Sequence, residues 1–109
     1  MAIPHALPGE LISVAPYGAE LAEEVTHAIF KSAQLEVIRV VLLAGKEYTG
    51  HVVPGEITIQ CIEGQVKFDG PVRSLLSAAT MLYVPPAVPY KLVAVDDSSL
   101  LITIRLTDV

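Results

Sequence analysis

The chain has 109 residues, 52% hydrophobic and 17% charged, with twelve Asp and Glu against seven Lys and Arg for a net charge of −5. That length holds one core rather than two, and an acidic balance without a basic run or clustered arginines argues against nucleic acid as a partner. The longest uninterrupted apolar stretch, residues 40–44, falls far short of the roughly 18–20 residues of a spanning helix, and residues 1–8 have neither a basic start nor a long apolar run; the expectation is a soluble, unexported, cytoplasmic protein with no membrane partner.

Soluble domains are typically about 45–50% apolar and about 25% charged, so this chain carries more apolar surface than one small monomer readily hides. A homodimer is the expected outlet. The single cysteine, Cys61, excludes an internal disulfide. Sitting between Ile59 and Ile62 with no basic neighbour to form a thiolate, it reads as a small buried apolar residue.

Residues 1–25 form an arm in this reading. Pro4, Pro8, Pro16, Gly9 and Gly18 disfavour regular helix there, leaving one short strand over 10–15. In residues 19–25 Leu21 and Val25 lie one helical turn apart, opposite Glu20, Glu23 and Glu24, which fits a short helix or a solvated turn. From Thr26 to residue 109 the texture becomes a single barrel-like unit of short runs rich in Val, Ile, Leu and Thr. Strands are predicted over 26–32, 35–44, 48–52, 57–62, 65–69, 72–77, 81–84, 90–95 and 100–106. Tight turns fall at Glu63-Gly64 and Asp69-Gly70-Pro71, a rigid bend at 85–89 and a polar loop at 96–99. About nine strands with turns every 8–12 residues, and no helix between them, predict an all-β sandwich or barrel.

Two stretches resemble the motifs of the cupin superfamily, small jelly-roll barrels. The first family motif is a glycine, five residues, His, any residue, His, three or four residues, Glu, six residues and a glycine. Here Gly45, His51 and Gly64 stand in register, with Val53 at the second His and Ile57 at the Glu. The second motif, a glycine, five residues, Pro, any residue, glycine, two residues and His, maps onto Ala79, Pro85, Ala87 and Tyr90. The resemblance covers roughly residues 26–106. It implies an RmlC-like jelly roll of about nine to ten antiparallel strands, and it implies that three of the four family metal ligands are replaced. It is specific for fold and open for activity. The N-terminal strand of such proteins often pairs with the partner's sheet, a role that would fall here to 10–15.

A catalytic divalent metal usually needs about three His, Cys, Asp or Glu ligands. His51 alone does not supply them, so neither a metal nor another cofactor is expected. Glu56, next to the lost ligand position, should lie on the opposite strand face from Ile57 unless a bulge intervenes. If the family geometry holds, His51, Val53, Ile57, Ile59, Cys61 and Tyr90 line the barrel interior, with Tyr48 at its mouth. That composition suits a small organic ligand, although His51 and Tyr90 hydrogen-bonded to each other in a packed core fit the same residues. The leading expectation is a metal-independent binding or accessory protein. Two alternatives stand beside it, an isomerase or epimerase with His51 as base and Tyr90 as acid, and a residual dioxygenase-type metal enzyme. A purely structural role is the third. No phosphate loop, nucleophile elbow or carboxylate pair is present, and the serines lack a His and Asp context for a hydrolase.

Overall fold

The computed structural model of the chain describes residues 4–50 and 52–107. Its described strands are β1 His27–Lys31, β2 Leu35–Leu42, β3 Glu47–Thr49, β4 Ile57–Glu63, β5 Gln65–Asp69, β6 Ser74–Ser77, β7 Thr80–Val84, β8 Lys91–Ala94 and β9 Ser98–Arg105. They form two antiparallel sheets, one ordered β1-β2-β9-β4-β7 and the other β3-β8-β5-β6. This is the predicted all-β jelly-roll sandwich.

The alternation of side chains along each strand builds the core. In β4, Ile57, Ile59 and Cys61 point inward; in β5, Val66 and Phe68; in β9, Leu100, Ile102 and Ile104. With Val40, Leu42, Leu76, Val84, Tyr90, Leu92 and Ala94 they make one buried cluster between the sheets. No helix among the described residues is long and apolar enough to cross a membrane.

Three expectations are corrected. Residues 10–15 form no strand: the segment is exposed, Leu11 at 98%, and no element among the described residues offers it a ladder. The polar loop expected over 96–99 ends early, since Ser98 and Ser99 begin β9 and are buried. Ser98 can enter the interior because its hydroxyl donates to the carbonyls of Asp96 (2.7 Å) and Gln65 (3.2 Å). The strand expected over 48–52 is β3, ending at Thr49, with Val52 exposed and outside any strand. The helix or turn expected over 19–25 is a 3-10 helix, Gly18–Glu23, that buries Leu21.

A bulge in β4 has the largest consequence for side-chain placement. Cys61 pairs with Leu100 and Glu63 with Ser99, so Ile62 is the extra residue. Strict alternation would turn Glu63 inward beside Cys61. The bulge instead sends it to the outer face, where its carboxylate accepts the amides of Tyr17 (2.9 Å) and Gly18 (3.1 Å) and the Ser99 hydroxyl. The Cys61 thiol donates to the carbonyls of Glu63 (3.4 Å) and Gly64 (3.7 Å), so its place is structural.

Candidate functional site

The barrel interior was the predicted site, and six of its seven named residues can be located; His51 lies outside the described residues. Ile57, Ile59 and Cys61 stand in successive inward rows of β4, each 2% exposed or less. Tyr48 on β3 pairs with Leu92, a core residue, and packs against the cluster half-buried. Val53 also packs against it, and its carbonyl accepts the amide of Ala87 at 2.9 Å, which pins the proline bend to the first-motif segment.

Tyr90 enters the core at the end of that bend, just before β8. Its carbonyl accepts the amide of Gly50 at 3.2 Å. A Cβ on Gly50 would come within 2.1 Å of the Tyr90 ring carbon Cζ, so the ring lies directly over the residue that precedes His51. On another side it stacks with Phe68, ring centroids 5.8 Å apart and planes at 23°. Burial, then the neighbouring Tyr48, pushes the Tyr90 hydroxyl far above the ordinary phenol range and holds it protonated. Burial raises Tyr48 as well, with a smaller push from Glu36, and burial raises the Cys61 thiol despite its bond to the Glu63 carbonyl. Among the described residues Tyr90 brings a hydroxyl into the buried apolar cluster, with the half-buried Tyr48 packed against it. A cleft of about 260 Å³ lined by Phe68, Val72, Tyr83, Pro85 and Val88 opens on the outside of Phe68.

The residues at the family's ligand positions do not fit a metal. Val53 and Ile57 offer only hydrocarbon, which leaves His51 and the Tyr90 phenol short of the roughly three donors a catalytic metal takes. Glu56 is exposed and faces outward, hydrogen-bonded to the Tyr83 hydroxyl, as strand alternation requires. Among the described residues no three His, Cys, Asp or Glu side chains come together as a metal site.

Two features were not anticipated. Phe68 becomes the stacking partner of Tyr90 because β5 lies beside β8 in the sheet, a neighbour relation that local sequence does not contain. The second is a buried cluster on the outer face of the larger sheet. Arg39, 2% exposed, donates from Nη2 to the Ala15 carbonyl (2.8 Å) and the Ser99 hydroxyl (3.0 Å). It lies 3.6 Å from the Glu63 carboxylate and covers the Tyr17 ring at 4.1 Å. A lone arginine inside the apolar run VIRVV was the signal.

The backbone at the motif glycine positions supports the register of the resemblance. Gly45, Gly64, Ala79 and Ala87 all adopt positive φ, at 81°, 83°, 68° and 59°. No family model matches the chain, and no curated protein matches it. Solved structures do. A conserved protein of unknown function from Streptococcus pyogenes superposes with TM-score 0.75 at 15% identity, covering 100% of this chain and 97% of that one. An RmlC-like cupin from Desulfovibrio desulfuricans gives 0.69 at 22% identity, covering 94% and 99%. A cupin superfamily protein from Desulfitobacterium hafniense gives 0.71 at 14%, covering 77% of each. The chain has the cupin fold.

Proposed function

We propose that this cupin-fold chain is a metal-independent binding or accessory protein, homodimeric, that takes a small organic ligand in the barrel around Tyr90 and His51, with Tyr48, Val53, Ile57, Ile59 and Cys61 as the apolar lining. The observation that carries the reading is the Tyr90 hydroxyl, carried on a buried ring in an apolar cluster and set against the Gly50 backbone that leads into His51. A protonated phenol among hydrocarbon favours an uncharged ligand with a hydrogen-bonding oxygen or nitrogen over a carboxylate or phosphate.

Native mass spectrometry of protein purified without chelator, beside elemental analysis, tests this. The expected result is a substoichiometric organic adduct lost in Tyr90→Phe, with Fe, Mn, Ni and Zn far below one per chain. Near-stoichiometric metal released by His51→Ala would overturn it.

The backbone hydrogen bond from Gly50 to Tyr90, which brings the residue before His51 beside Tyr90, favours a second reading, in which the phenol is the acid of an isomerase or epimerase and His51 the base. Exchange of substrate C–H for solvent deuterium, abolished by either Tyr90→Phe or His51→Ala, would favour this over simple binding.

A further inference from the structure

We propose that the outer face of the smaller sheet carries a binding cleft for a small amphipathic organic anion, centred on Lys67 and separate from the barrel interior. The cleft, about 460 Å³, lies across β6, β5 and β8 and is lined by Lys67, Asp69, Arg73, Leu75, Lys91 and Val93 among others. Small-molecule clefts commonly measure about 300–1,000 Å³.

Three of the chain's seven Lys and Arg line this cleft with one carboxylate, in a protein whose net charge is −5. Two of the cations are paired: Arg73 sits 3.5 Å from Asp69, and Lys91 3.6 Å from Glu47. Among the described residues Lys67 has no ion-pair partner. A solvated antiparallel face sets opposite charges across from one another. Lys67 instead stands between Leu75 on β6 and Val93 on β8. Its own stem leaves Leu75 57% exposed and Val93 half-buried.

An unpaired ammonium flanked by bare hydrocarbon calls for a ligand with two ends. A carboxylate or sulfonate meets Lys67 with the two neighbouring cations close by, and an aromatic or aliphatic body covers Leu75 and Val93. An inorganic anion leaves the apolar side chains wet, and a neutral apolar molecule leaves the charge unused.

Titration of the full chain with 8-anilinonaphthalene-1-sulfonate, an anionic aromatic probe that brightens in apolar contact, tests the site. The expected result is saturable one-to-one binding, weakened by raising sodium chloride from about 20 to about 500 mM. Lys67→Glu should weaken it about tenfold and Leu75→Ser about threefold, while Lys67→Arg stays within about twofold. Both positions are exposed, so folding is retained. The uncharged N-phenyl-1-naphthylamine should bind at least about tenfold more weakly. Unchanged binding in Lys67→Glu, equal affinity for the neutral probe, or no saturable binding would each overturn the proposal. So would loss of binding in Met81→Ser, on the opposite sheet. Because the Tyr90 ring is buried in the core and does not itself line this cleft, unchanged binding in Tyr90→Phe separates failure here from failure of the barrel reading.

Discussion

Ala79 and Ala87 occupy left-handed backbone at the two places where the family frame sets glycine. That region costs an L-residue roughly 1–2 kcal/mol, and both turns hold it because their amides are bound: Ala79 to the Cys61 carbonyl and Ala87 to the Val53 carbonyl, each at 2.9 Å. Both methyl groups are exposed, so little packing is lost on removing them. Glycine relieves the strain and adds about 0.4–1 kcal/mol of unfolded-state freedom. Ala79→Gly and Ala87→Gly should therefore each stabilise the protein by about 0.5–1 kcal/mol, read as a higher urea midpoint at unchanged slope. Arg39 is the opposite kind of residue, a buried charge whose Nε has no partner among the described residues. Arg39→Met leaves Glu63 without its cation and should cost about 3 kcal/mol. The loss should be less than additive with Glu63→Gln in a double-mutant cycle, since the two side chains share one network.

The β4 bulge joins this network to the arm. By turning Glu63 outward it gives the amides of Tyr17 and Gly18 a charged acceptor, and Arg39 holds the Ala15 carbonyl from β2, so the arm is fastened at residues 15–18. Burial raises the Glu63 pKa, but the Ser99 hydroxyl, the two amides and Arg39 outweigh it and hold the carboxyl below its ordinary value. A carboxyl depressed in the folded state adds stability that is complete above its unfolded pKa of about 4.3 and disappears as pH falls through the lower folded value. Acid should therefore free the arm first, with protection of the Tyr17 and Gly18 amides falling before that of β9 in hydrogen exchange; Glu63→Gln should flatten the pH slope. Local sequence carried most of the strands, β5 to the residue, because runs of Val, Ile and Leu end at Gly, Pro or Asp. It misread Ser98 and Ser99, whose polarity signals a loop until their partners across the chain are known. It placed a strand at 10–15, where pattern alone cannot supply a pairing edge. The family resemblance implied that Val53, Ile57, Ile59, Cys61 and Tyr90 face the interior, and these five lie in the core or pack against it, as does Tyr48, which was expected at the mouth; Phe68 required the order of strands in the sheet.

At the scale of the whole molecule the proposed homodimer rests on where apolar surface is left. The chain exposes 6582 Å², against about 5,800 Å² for a compact monomer of its mass, and the excess of roughly 750 Å² is close to the roughly 800 Å² per partner of a standard interface. That surface is unevenly placed. The outward face of the larger sheet carries the exposed Met81 and Tyr83 at its β7 edge, with Val37, Val41 and Leu101 half-buried between strands, while the smaller sheet presents Lys67, Asp69, Lys91 and Glu47. The arm adds the exposed Leu11, Ile12 and Val14, tethered by the anchor at 15–18 yet in no strand pairing among the described residues. A second copy would cover both features at once, whereas burying the arm within one chain would leave the Met81 and Tyr83 edge wet. Sedimentation equilibrium at micromolar concentration should give about twice the 11.6 kDa of the chain. Leu11→Lys with Met81→Lys should shift the mass to that of a single chain while the far-ultraviolet spectrum stays that of a β protein, because both side chains are exposed and bear no core packing. Lys67→Glu, on the other sheet, should leave the dimer intact. A single-chain mass for the unsubstituted protein would overturn the dimer and leave the apolar arm to some other partner, without touching the barrel or the network that anchors it.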